Sequence, residues 1–185
     1  TFCGPIGQDF GGKISYMRVR YSFIMPVREI NDYDDVLPPN HKKDEFPPFL
    51  PQSLHEAVRT FILVRAIRNL RGQENSHNSM LINVSRFTDI QSNVKWQIHE
   101  YLTELRDAVK NHYALSEKKA LSSSSMRSLK ETWDREFKDT EFIWENIQKD
   151  LRAAVSPIRV IEVNGSRNSE PLDYNKRDYP NGRNV

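Results

Sequence analysis

Apolar positions along the chain recur at two spacings, and each spacing predicts an element. Leu54, Val58, Phe61, Ile62, Ile67 and Leu70 fall at helical repeat spacing, with Ser53 and Glu56 set as a capping box before them and Gly72 as a stop after them. Residues 79–85 (Ser-Met-Leu-Ile-Asn-Val-Ser) then form a short, nearly continuous apolar run, as a buried parallel strand would. Thr88 and Gln91 repeat the capping-box spacing and open a long helix, one face of which carries Ile90, Val94, Ile98, Tyr101, Leu102, Leu105 and Val109. Strand, tight turn and helix make half of a βαβ unit.

Residues 114–156 read as a helical insertion. Ser122 to Ser125 make a polar break, after which Met126, Leu129, Trp133 and Phe137, and then Phe142, Ile143, Ile147, Leu151 and Val155, keep helical spacing. Such stripes are core far more often than a cofactor box. Pro157 ends this stretch, because proline disfavours helical geometry in the residue before it. Residues 158–163 (Ile-Arg-Val-Ile-Glu-Val) predict a second strand, closed by Asn164-Gly165, and Arg183-Asn184-Val185 looks like the opening of another, as though the sequence stopped in mid-fold. Residues 1–50 hold six of the ten prolines and four of the seven glycines, which predicts an irregular arm. Its β-prone stretch at 13–25 would supply a strand or two. The fold expected is therefore α/β: a small parallel sheet in residues 51–185 with the helical insertion at 114–156, preceded by the 1–50 arm.

Composition narrows the function classes. The 185 residues suffice for one core without metal or disulfide support. No apolar run is long enough for a membrane-spanning helix, and the N-terminus has no signal-peptide pattern. Cys3 is the single cysteine, which fits a reducing cytoplasm and excludes a Cys-rich zinc site. Thr1 in place of an initiator Met suggests a processed chain or a fragment. The net charge of +2 does not by itself mark a nucleic-acid binder, and no segment forms a basic tail. Arg59, Arg65, Arg68 and Arg71 read as a solvated helix face.

Catalytic signatures fail one after another. There is no Gly-x-x-x-x-Gly-Lys-Ser/Thr phosphate loop, and Asp9-Phe10-Gly11-Gly12 reads as a turn. The five histidines are scattered. His41-Lys42-Lys43 begins a histidine-phosphodiesterase pattern, but its aspartate position is Pro48. Glu162 on the second predicted strand lacks the lysine two residues on that many metal-dependent nucleases use, and Asp32, Asp34 and Asp35 read as solvated surface. No Gly-x-Ser-x-Gly elbow is present. No catalytic residue and no metal ligand is assigned. What remains is the strand-to-helix turn, where Ser85, Arg86 and Thr88 would meet a helix start suited to phosphate. Gly165, Ser166 and Arg167, after the second predicted strand, would lie on the same edge.

The order of motifs resembles the Z-one domain family. The resemblance rests on residues 54–72, on His77-Asn-Ser-Met-Leu-Ile-Asn-Val-Ser-Arg86, on Pro157-Ile-Arg-Val-Ile-Glu-Val-Asn-Gly165 and on Tyr179-Pro-Asn-Gly-Arg-Asn-Val185. It implies a helicase-like ATPase linked to bacterial restriction systems and often labelled an endonuclease, with residues 80–84 as the first strand of a second RecA-like domain. Ser85-Arg86 would then be a nucleic-acid-backbone motif and Asn164-Gly165 the next motif. ATP and Mg²⁺ are implied for the whole parent protein, with no cofactor in this chain. The expected role is a noncatalytic fragment that touches the DNA backbone. The rival is a protein-interaction module whose helices at 114–156 dock a partner nuclease subunit.

Overall fold

The structure, a computed structural model, describes residue 30 and residues 32–164, 173–175 and 178–185. Its elements are all helices: α1 (Gln52–Leu70), α2 (Thr88–His112), the single turn α3 (Glu117–Ala120), α4 (Ser124–Glu136) and α5 (Trp144–Val155). The strands expected at 13–25 lie outside the described residues.

The start of α1 differs from the capping box expected at Ser53. Pro51 is the N-cap, and the Ser53 N–H and hydroxyl both donate to Asp32, at 2.8 and 2.6 Å. A carboxylate from the arm thus closes the helix start, and those bonds hold the Asp32 carboxyl below its usual range. Asp32 is therefore a cap, whereas Asp34 and Asp35 are exposed. The stop at Gly72 is as expected. Its φ of +72° permits the reversal in which Gln73 N–H reaches Arg68 O at 2.9 Å.

α1 packs on α5 and α4, and α2 packs on the same two helices. Ile62, Leu63 and Ala66 of α1, Ile90, Leu105 and Val109 of α2, Met126 and Leu129 of α4, and Ile147 and Leu151 of α5 have no exposed surface. Removing one such aliphatic side chain from water is worth about 1.5–3 kcal/mol. The stripe at 126–133 is core, while Ile143 is 64% exposed at the N-cap of α5. Gln148 of α5 is buried and satisfied: it accepts from Trp144 Nε1 and donates to the carbonyls of Tyr113 and Leu115.

The arginine face of α1 corrects the sequence reading most sharply. Arg59 and Arg65 are buried, at 6% and 4% exposure. Arg59 Nε donates to Thr132 Oγ1 at 2.9 Å and its Nη1 to the Tyr101 hydroxyl at 2.7 Å. Arg65 Nε donates to Ala154 O at 2.9 Å, and its Nη1 bonds the Asn184 side chain. These cations bolt α1 to α4, α2, α5 and the C-terminal segment.

The parallel sheet is also corrected: among the described residues there is none. Residues 78–84 do run extended, with inward positions Asn78, Met80, Ile82 and Val84 alternating with the exposed Ser79, Leu81 and Asn83. Their pairing is confined to one parallel bridge, Asn78 with Asn184. Residues 158–163 form no ladder either. An apolar alternation fixes an extended path with one face inward, but a ladder also needs a neighbour within bonding distance along its length, and among the described residues only 183–185 supply one. The α/β expectation and the partial RecA-like reading built on it therefore give way to a helical architecture.

Candidate nucleic-acid interface

The turn at 85–88 is built by a short network. Ser85 is nearly buried, its carbonyl accepts from Gln91 Nε2 at 2.6 Å, and its hydroxyl oxygen accepts the Phe87 N–H at 3.1 Å. His41, 44 residues upstream, closes the network with Nε2 at 2.8 Å from Ser85 Oγ and Nδ1 at 2.7 Å from Pro38 O. A carbonyl can only accept, so Nδ1 donates to Pro38 O, and Nε2 shares the second hydrogen bond with the Ser85 hydroxyl. The His41 ring also meets Phe87 edge-on at 5.7 Å. Ser85 is thus a positioning residue that ties the arm to the turn, and His41 is a partner for which the sequence carries no local signal.

The neighbouring side chains face outward. Arg86 is exposed, forms no hydrogen bond or ion pair among the described residues, and rests over the Phe87 ring at 4.9 Å. Thr88 is exposed and is the first residue of α2. The N-cap is Phe87, which has no capping side chain, so the capping box expected from Thr88 and Gln91 does not form. Gln91 N–H, bonded to Phe87 O at 3.1 Å, is the first amide of α2 with a partner. The N–H groups of Thr88, Asp89 and Ile90 have none among the described residues, as expected for an uncapped helix start. Asp89 is the one carboxylate in that turn.

Gly165, Ser166 and Arg167 lie outside the described residues. The segment leading to them ends beside α2, because Ser92 Oγ donates to Glu162 Oε2 at 2.9 Å and Asn164 Nδ2 donates to Glu162 Oε1 at 2.6 Å. Among the described residues, no group of three or more His, Cys, Asp or Glu side chains is placed to hold a metal ion. No described helix is long and apolar enough to cross a membrane.

Compared with known proteins, residues 53–184 match the family model of the Z1 domain, the Z-one family of the sequence resemblance. No curated protein and no solved structure matches the chain.

Proposed function

This chain belongs to the Z1 domain family, and from that premise we propose that it is a noncatalytic part of a DNA-processing protein that holds the nucleic-acid backbone at the 85–88 turn. The observation that carries the reading is Arg86: an exposed guanidinium without a carboxylate partner among the described residues, beside the uncapped start of the 25-residue helix α2. A phosphate there gains a fixed cation with a planar donor fork and, from the free N–H groups, the positive end of the helix. The Ser85–His41–Gln91 network holds the turn in place, so little ordering is left for binding. Asp89 opposes an anion in the same turn, which makes this a single-phosphate contact and not a broad basic surface.

The wider role in this reading is that of a restriction-associated, helicase-like ATPase. ATP and Mg²⁺ would be handled outside this chain, whose sequence lacks a phosphate loop and whose described residues offer no metal cluster. The interaction-module alternative has less to offer a partner, since Trp133, Ile147 and Leu151 of the helical stripes lie inside the chain's own core and Ile143 is the stripe residue left exposed. Duplex DNA affinity measured against salt tests the proposal. Binding that weakens steeply as salt rises is expected; no binding at low salt overturns it.

A further inference from the structure

Residues 183–185 lie between two extended walls and bond to both. Asn78 N–H donates to Arg183 O at 2.9 Å, Val185 N–H to Asn78 O at 3.1 Å and Met80 N–H to Val185 O at 2.9 Å; on the other side Arg159 N–H donates to Asn184 O at 2.9 Å. Past Val185 the walls continue as residues 81–84 and 160–163, none of which makes a backbone hydrogen bond. Between them runs a groove of about 570 Å³, floored by Val58, Phe61, Ile62, Val94, Ile98 and Leu102.

The groove has a register. In parallel pairing, the residues whose N–H and C=O face one neighbour recur at every second position. The wall that begins with Asn78 and Met80 therefore continues through Ile82 and Val84, and the wall that begins with Arg159 continues through Ile161 and Val163. These four residues present unbonded N–H groups to an apolar trough, where backbone donors ordinarily find partners.

We infer that this groove docks an extended aliphatic peptide segment, running parallel to residues 80–84 in line with 183–185. Continuity with the pairing already made by 183–185 fixes the direction. The backbone edges on both sides call for a strand-like occupant without proline. Asn78 and Asn184 are paired and both point inward, at 5% and 4% exposure. Alternate residues of the occupant, beginning with the first after the position of Val185, therefore face the apolar floor and must be aliphatic. The outer rim tolerates apolar neighbours as well, for Leu81 is 88% and Val163 52% exposed.

The test appends Ile-Thr-Val-Thr-Val directly after Val185 and follows residue-level amide exchange. The amides of Ile82, Val84, Ile161 and Val163 should slow by about tenfold, the order expected of one backbone hydrogen bond each. Those of Leu81, Asn83, Val160 and Glu162 should keep their rates. A chain carrying Asp-Thr-Asp-Thr-Asp instead should leave all eight unchanged. The free capped peptide Ile-Thr-Val-Thr-Val, added to the unextended chain, gives an independent reading at the same amides and decides the matter if the extended chain precipitates. Protection of the alternating four by either aliphatic probe supports the inference. Uniform slowing of all eight, equal slowing by the aspartate control, or no slowing by either aliphatic probe overturns it. So does slowing in the unextended chain that grows with protein concentration, since a second copy would then be the occupant.

Discussion

Replacing Arg65 separates a buried structural cation from the solvated helix face that its sequence context suggests. Arg65 is 4% exposed, donates from Nε to Ala154 O, and bonds the Asn184 side chain through Nη1. Burial pushes its pKa down, with Asp150 pulling in the other direction. In Arg65→Met the Asn184 side-chain oxygen keeps a donor, Asn78 Nδ2 at 3.0 Å, so the Ala154 carbonyl is the acceptor left without this partner. One orphaned buried acceptor costs about 1–3 kcal/mol, and losing a buried charge that was expensive to desolvate offsets part of the lost bonding. The net expectation is about 2 kcal/mol. Arg65→Lys should be worse, at about 3–5 kcal/mol, because an ammonium stays buried without the fork that reaches both acceptors. Urea unfolding followed by the fluorescence of Trp133 and Trp144, both in the core, reads the difference. With a slope of about 2 kcal/mol per M, the methionine variant's midpoint should fall by about 1 M. Both variants within about 0.5 kcal/mol of wild type, the range of ordinary surface changes, would refute the buried-cation account.

Three further outcomes follow from the packing and the charges. Trp133, 3% exposed and packed near Phe137 and Trp144, should cost about 3–5 kcal/mol as Trp133→Ala in the same urea titration; a loss below about 1 kcal/mol would place it outside the core. Gly72 and Gly182 both have positive φ, but a Cβ at Gly72 meets open space whereas one at Gly182 would lie 2.5 Å from Ser76 O. Gly72→Ala should therefore cost only the backbone penalty of about 1–2 kcal/mol, and Gly182→Ala should cost more and speed amide exchange at Asn78, Met80 and Val185; equal effects would contradict the close approach. Arg71 beside Glu141, with Nη2 to Oε2 at 2.9 Å, holds the Glu141 carboxyl down at about 2 from an ordinary 4.5. Because the folded value is the lower one, that contribution is whole above pH 4.5 and is lost as pH falls toward 2. The stability difference between wild type and Glu141→Gln should shrink across that window, and a difference independent of pH would exclude the pairing.

Helix positions were legible in the sequence because they depend on local periodicity. The apolar repeat from Leu54 and the face from Ile90 to Val109 correspond to α1 and α2, and the stripes at 126–133 and 147–155 to α4 and α5. Sheet pairing is not legible there, because a run such as 79–85 specifies an extended path and an inward face, whereas pairing depends on what lies beside it. The buried arginines are hidden in the sequence for a related reason. A positive charge at helical spacing is ordinary surface unless acceptors converge on it, and those of Arg59 and Arg65 come from residues 101, 132, 154 and 184. At the turn, Ser85 and Arg86 stood out as a helix-start pair, but the contact that positions Ser85 comes from His41, and Phe87 displaces Thr88 as the N-cap.

The central claim concerns one phosphate at one guanidinium, so the decisive measurement is duplex affinity against salt for wild type and Arg86→Ala. Removing one such contact should weaken binding similarly across DNA sequences, because a phosphate contact carries no base information. It should also make the slope of log affinity against log salt shallower by about 0.9, the value for one counterion-releasing contact on B-DNA. Arg86 makes no hydrogen bond or ion pair among the described residues, so stability should stay within about 0.5 kcal/mol of wild type. A variant that keeps the wild-type affinity and slope, or that loses binding only because it unfolds more easily, would contradict the assignment of this turn to the nucleic-acid backbone.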